Sequence, residues 1–163
     1  MEKQLQQFEF LVYNDITGLD ERDAWLLKEA RAVTRHAYAP YSHFQVGAMI
    51  RLANGEIVAG TNQENASFPA GLCAERVALS AASSAYPDVP IDTIAVSFNN
   101  LRGDSDHPIS PCGVCRQTLA EYELRQESPI RLVLGGLSGK IYVISKATDL
   151  LPLGFSASDM SDK

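Results

Sequence analysis

Cys73-Ala74-Glu75 and, further along, Pro111-Cys112-Gly113-Val114-Cys115 supply three thiols and one carboxylate, and the chain has no other cysteine. Three thiolates can hold Zn²⁺ and leave the fourth corner of its tetrahedron open. An open corner separates a zinc that does chemistry from one that only staples a fold. A carboxylate two residues from the first thiol can then manage the protons of a water at that corner. The competing readings are a closed structural zinc, unconnected buried cysteines, or a redox Cys-x-x-Cys. A closed site needs His36, His43 or His107 as its fourth ligand, and none has zinc-finger spacing to the cysteines. A redox pair leaves Cys73 and Glu75 without a use.

Pro111 suits the first turn of a helix, where a missing N–H costs nothing. Cys112 and Cys115, at i and i+3, then share one face at the positive end of the helix dipole, which favours thiolate. Cys73 and Glu75, at i and i+2, would point apart in mid-helix. They converge only if the metal sits over a first turn. The spacing therefore predicts two helix N-termini aimed at one ion. Three thiolates outweigh the charge of Zn²⁺ and weaken it as a Lewis acid. Arg76 and Arg116, each close in sequence to a ligand, could offset this by hydrogen bonding to sulfur.

Several elements must position these groups. Asp20 can cap a helix running to about residue 38, with Trp25, Leu26, Ala30 and Val33 as its apolar stripe. Phe44, Val46, Ala48 and Ile50 alternate as in a strand, Asn54-Gly55 has the composition of a tight turn, and residues 56–60 return antiparallel. Residues 62–70 read as a loop and 72–86 as a helix. Residues 91–98 read as a buried strand, reached by a helical crossover and so expected parallel to its neighbour. A polar loop over 99–110, expected to shape the rim of a pocket, leads to a third helix over 112–127. Strands at 130–134 and 141–145 complete the chain. The order predicts an α/β fold, a three-layer α/β/α sandwich on a mixed sheet of about five strands. Residues 1–19 form an N-terminal arm in which Phe8, Phe10 and Val12 give a weak strand signal, and residues 20–163 form one domain. Ala74, Ala78, Ala81, Ala82 and Ala85 make a stripe of small side chains on the second helix, expected at a subunit contact, with tight packing inside one subunit as the alternative.

A length of 163 residues suits one domain with a full core. No apolar run approaches the ~20 residues needed to span a bilayer. The start Met1-Glu2-Lys3-Gln4 lacks the features of a signal peptide, so a cytoplasmic location is expected, with no membrane partner. The 14 basic against 20 acidic residues give a net charge of −6 without a Lys/Arg cluster, ill suited to gripping a nucleic-acid polymer. His43 and His107 are expected at the surface.

The sequence resembles the cytidine deaminase family, specifically the small homotetrameric kind that acts on free nucleosides. The likeness runs from about residue 38 to 155 in five ordered blocks: Tyr41-Ser42-His43-Phe44-Gln45-Val46-Gly47-Ala48, Asn62-Gln63-Glu64-Asn65-Ala66-Ser67-Phe68, Cys73-Ala74-Glu75-Arg76, Pro111-Cys112-Gly113-Val114-Cys115-Arg116-Gln117, and Leu150-Leu151-Pro152-Leu153-Gly154-Phe155. The resemblance implies Cys73, Cys112 and Cys115 as ligands of one Zn²⁺ per chain and Glu75 as proton shuttle. It implies hydrolytic deamination of cytidine and 2′-deoxycytidine by a zinc-activated water, in pyrimidine salvage. Glu75 would take a proton from that water, deliver it to N3 of cytosine and assist the departure of ammonia. Asn62 and Glu64 match ribose-binding positions, Phe44 a residue packed on the base, and Ala74 a further substrate-binding position. Phe155 matches a C-terminal aromatic that enters a neighbouring subunit's pocket.

Taken alone, Asn62 and Glu64 read as loop chemistry, Phe44 as core and Phe155 as a plug on its own core. Phe68 stands where the family commonly has tyrosine, and the arm exceeds the family's usual length. Three other functions compete: deamination of a modified nucleoside such as blasticidin S, polynucleotide editing, and a non-enzymatic zinc module. The pair Asn62 and Glu64 argues against the first, the acidic balance against the second, and Glu75 against the third.

Overall fold

Val46, Ala48, Ile50 and Leu52 turn to one side of a strand and Met49 to the other, and this alternation becomes β2 (Phe44–Leu52) of the computed structural model, which describes residues 1–160. The two sides meet two separate apolar clusters. One joins Ala48 and Ile50 to Ala78 and Leu79 of α2 (Ala74–Ala85) and Leu119 of α3 (Gly113–Gln126). The other joins Met49, Ala95 and Val133 to Leu26, Leu27 and Ala30 of α1 (Glu21–Val33). Three layers follow, as the element order predicts.

Among the described residues the sheet has six strands in the order β1-β6-β5-β4-β2-β3. They are β1 (Leu11–Tyr13), β2, β3 (Ile57–Thr61), β4 (Ile91–Asn100), β5 (Arg131–Gly135) and β6 (Ile141–Ile144). The sixth comes from the arm, where Val12 lies opposite Tyr142 and Phe10 packs against the Tyr142 ring with centroids 4.9 Å apart. Three paired residues are too few for alternation alone to mark a strand. A second correction concerns β4. The α2 crossover links β3 to β4, which run the same way but have β2 between them, so β4 is antiparallel to its neighbour β2. Its parallel partner is β5, across the α3 crossover.

Asp20 caps α1 by accepting from the Asp23 N–H at 2.9 Å. The helix ends at Val33, earlier than expected, and Thr34–His36 continue as a 3₁₀ turn. At Gly47 the strand lies so close that a Cβ would fall 2.3 Å from the Ala30 carbonyl oxygen. Gly60 of β3 meets α2 the same way. Ala74, Ala78 and Ala82 are therefore buried inside the subunit against the sheet, whereas Ala81 and Ala85 are exposed. The buried half of the alanine stripe serves packing within the chain, contrary to the expectation of a subunit contact. Among the described residues no helix is long and apolar enough to cross a membrane.

Candidate active site

α2 and α3 both begin at a cysteine. Cys73 is the N-cap of α2 and Cys112 the N-cap of α3, each with extended backbone (φ −74°, ψ 151° and φ −65°, ψ 168°). Neither side chain caps the backbone, although the N-cap position usually holds an oxygen donor or acceptor. Extended dihedrals free both side chains from the helical direction, which resolves the i, i+2 problem of Cys73 and Glu75. Cys115 lies in the first turn of α3. The Cys73 and Cys112 Sγ atoms are 3.7 Å apart, and those of Cys112 and Cys115 3.5 Å. All three lie within 4.8 Å of one another, and no fourth His, Cys, Asp or Glu joins them among the described residues. With Zn–S bonds near 2.3 Å, a tetrahedron places sulfurs about 3.8 Å apart, so the donor set fits zinc with one corner left for a non-protein ligand.

The electrostatics follow from this crowding. Hydrogen bonding from Cys115 brings the Cys73 thiol down to about 6 against the opposing effect of burial, with Cys112 and the Arg76 charge helping. Cys115, the partner in that bond and itself buried, is pushed up. Glu75, second residue of α2, is 5% exposed. Burial holds its carboxyl above the ordinary range, and the neighbouring Cys73 pushes in the same direction.

Arg116 spends two of its donors on backbone. Its Nε donates to the Pro111 carbonyl (2.8 Å) and its Nη1 to the Leu150 carbonyl (3.2 Å), so it ties backbone segments together. Pro111 stands one residue before the N-cap and not in the first turn that its ring suits.

Phe44 opens β2 half-buried, stacked on Phe98 with centroids 4.8 Å apart and planes 16° from parallel. His107, from the loop after β4, meets the Phe98 ring edge-on at 5.2 Å. No sequence signal marks that contact. Asn62 bridges the start of β2: its Oδ1 accepts from the Val46 N–H (2.7 Å) and its Nδ2 donates to the Phe44 carbonyl (2.9 Å). One amide hydrogen remains for a ligand. Glu64 Oε2 accepts from the Tyr41 and Ser42 N–H groups at 2.9 and 3.3 Å. Burial pushes its carboxyl up, but the Ser42 and Tyr41 hydrogen bonds outweigh this and leave it below the ordinary range. Ala74, the first residue of α2, is fully buried in the core. Phe155 is 58% exposed, so it is no plug on its own core.

Residues 20–127 match the family model described as the cytidine and deoxycytidylate deaminase zinc-binding region. A cytidine deaminase of Halalkalibacterium halodurans is 40% identical over 137 residues, 84% of this chain and 96% of that protein. The crystal structure of cytidine deaminase from Burkholderia pseudomallei superposes with a TM-score of 0.70 at 39% identity, over 80% of this chain and 97% of that one. A blasticidin-S deaminase of Bacillus cereus is 30% identical, over 85% of this chain and 96% of that protein.

The chain belongs to the zinc-binding cytidine deaminase family.

It is therefore an enzyme, and the deaminase match spans the three cysteines and Glu75. The match begins at Asp20, the α1 cap, and ends before β5, so the arm and Phe155 fall outside it. A cavity of about 390 Å³ between the far ends of α2 and α3 lies away from the cysteines, lined by Tyr86, Tyr122, Arg125 and Gln126 among others. Those polar groups are already engaged: Tyr86 with Glu56, Tyr122 with Leu79, Arg125 with Ser83, and Gln126 with Ile91. The deaminase site is set by its chemistry and not by the depth of a hollow. Sequence reading missed Glu123, a buried carboxylate that accepts from the Ile130, Ala147 and Thr148 N–H groups. An acid four residues after buried Leu119 on one face of α3 was the available signal.

Proposed function

We propose that this deaminase hydrolyses cytidine and 2′-deoxycytidine to uridine and 2′-deoxyuridine with release of ammonia, in pyrimidine salvage in the cytoplasm. Cys73, Cys112 and Cys115 hold one Zn²⁺ per chain. The observation that carries this reading is the buried Glu75, two residues beyond Cys73 and beside a three-sulfur set with no fourth protein ligand among the described residues. A structural zinc would have no use for such a carboxylate. Zinc, when bound, supplies a Lewis acid that lowers the pKa of a water at its open corner. The Glu75 carboxylate accepts the proton which that water loses as its oxygen bonds to C4 of cytosine, and delivers it to N3. Glu75 then carries the second proton from the oxygen to the exocyclic amine, and the C4–N bond breaks to give ammonia. Its burial raises its proton affinity toward what a shuttle needs at neutral pH.

Recognition falls to groups around this centre. The free Asn62 amide hydrogen and Glu64 Oε1 serve the ribose hydroxyls, and the pair favours an ordinary nucleoside over a modified one. Phe44 packs on the base, and Ala74 completes the first turn of α2 beside it. Phe155 closes the pocket of a neighbouring copy in a homotetramer. Arg76 lends positive charge to Cys73. The test is the ultraviolet absorbance change on cytidine, deoxycytidine, cytosine and an oligonucleotide, with and without a chelator. Chelator-sensitive turnover of the two nucleosides alone is expected. Zinc-loaded protein inert toward both defeats the proposal.

A further inference from the structure

α3 carries more than two thiols. Directly after Cys115, Arg116 holds the Leu150 carbonyl, and directly after that Gln117 donates from Nε2 to the Phe155 carbonyl at 2.9 Å. Two consecutive side chains on the cysteine-bearing helix thus hold the backbone on either side of residues 151–154. Burial does not hold that stretch. Leu153 is 98% exposed and lies in the left-handed region at φ 55°. A leucine keeps that conformation only when its surroundings impose it. The Gly154 N–H closes on the Leu151 carbonyl at 3.2 Å, and the two α3 side chains fix the ends. Phe155 is itself more than half exposed, so its main-chain bond governs where the ring points.

We propose that Gln117 is a positioning residue for Phe155: its hydrogen bond registers the tail on α3 and presents the ring to the active site of a neighbouring copy. The inference rests on the reading of Phe155 as the group that closes that pocket. α3 is a fitting anchor because the same rigid helix starts at Cys112 and carries Cys115. Contacts between copies repeat in a symmetric assembly, so a ring registered to one α3 is registered to the neighbour's thiols as well. Without the bond, the tail must be ordered again each time substrate binds. That cost falls on binding and leaves the chemical step alone.

The experiment is a double-mutant cycle read as KM and kcat on cytidine, with zinc per chain and melting temperature followed in parallel. Gln117→Glu keeps the size and removes the donor. The expected result is a KM raised about fivefold, the worth of one net hydrogen bond, with kcat and zinc content as in the parent and a melting temperature lower by no more than about 4 °C. Gln117→Arg retains an N–H donor and is expected near the parent KM. In a Phe155→Ala background, Gln117→Glu is expected to add nothing. A full further rise in that background overturns the inference, because Gln117 would then act elsewhere. So does an unchanged KM in Gln117→Glu while Phe155→Ala raises it, and that outcome leaves the role of Phe155 standing. Loss of zinc, or a melting temperature lower by more than about 8 °C, in Gln117→Glu also overturns it, since the side chain would then be structural. Phe155→Ala without effect on KM overturns the reading of Phe155 itself.

Discussion

Gly60→Ala tests how the fold aims its chemistry. A Cβ on Gly60 would lie 2.4 Å from the Ala74 carbonyl oxygen, 2.4 Å from the Ala78 nitrogen and 2.8 Å from the Ala78 Cβ. Ordinary contact begins near 3.4 Å, so β3 and the first turn of α2 must part by about 1 Å. The atoms in the way are mostly backbone, which cannot swing aside like a side chain. Overpacking of this kind costs about 1–3 kcal/mol. For a chain of this size each kcal/mol removes about 2–4 °C of melting temperature. The turn that moves is the one carrying Cys73 and Glu75. Metal–ligand distances tolerate only about 0.2 Å, so a shift near 1 Å at Cys73 should weaken zinc about 10–100-fold. Gly55→Ala is the control. Gly55 has φ 89° with no heavy atom within 4 Å, so alanine there meets only backbone strain of about 1–2 kcal/mol, far from the metal. Melting curves with and without chelator, with zinc per chain and competition by a chromophoric chelator, separate the two variants. Parent-like zinc affinity in Gly60→Ala, or equal zinc loss in Gly55→Ala, would refute the reasoning.

Glu75→Gln is expected to keep zinc and the parent melting temperature but to lose turnover by about 10²–10⁴-fold, as removal of a proton shuttle does; near-native turnover on cytidine sinks the assignment. Glu123→Gln places an amide where a carboxylate accepts from the Ile130 and Ala147 N–H groups at 2.7 Å and from Thr148 at 2.9 Å, and is expected to cost about 2–3 kcal/mol in urea unfolding. Asp23 is 1% exposed and faces Arg131 and Arg51. Asp23→Ala takes the carboxylate from Arg131 while Arg51 keeps Asp92 and Thr93, and should cost about 1–3 kcal/mol, visible in the same unfolding experiment with zinc content unchanged.

The metal centre was legible because its residue types are rare and their spacing is constrained. Three cysteines and one nearby carboxylate allow few arrangements, and the requirement that Cys73 and Glu75 converge dictated helix starts before any fold was known. The long strands were legible for a similar reason: Phe44–Leu52 alternates over nine residues, and each side belongs to a different apolar cluster. Strand β1 was only faintly visible because three residues carry almost no periodic signal, and its pairing to β6 is settled by distant sequence. The neighbour of β4 was misread because a crossover fixes the relative direction of two strands but not whether a third lies between them. The backbone bonds of Arg116 were not legible because sequence gives proximity to a sulfur without direction, and the carbonyls of Pro111 and Leu150 take its Nε and one Nη1 hydrogen. The alanine stripe signalled close approach correctly. That the approaching backbone was β3, at Gly60, needed the tertiary structure.

Chemistry and recognition divide differently between the interior and the surface of one chain. Glu75 and Cys115 are buried, and the elements that place them, the starts of α2 and α3, are fixed to the sheet by the chain's own core. Cys112, Tyr41, Phe68 and Phe155 are exposed, and Phe44 and Glu64 are only half covered. A neutral nucleoside offers no charge for an acidic protein to grip, so its affinity must come from stacking and from hydrogen bonds shielded from water. An open rim of exposed aromatics supplies neither while water reaches it. In the proposed assembly a second copy brings its own exposed apolar residues, which are costly to leave in solvent. If Phe155 closes a neighbouring pocket as proposed, covering the rim of one copy with the tail of another would answer both needs, burying Phe155 and drying the pocket around the buried carboxylate.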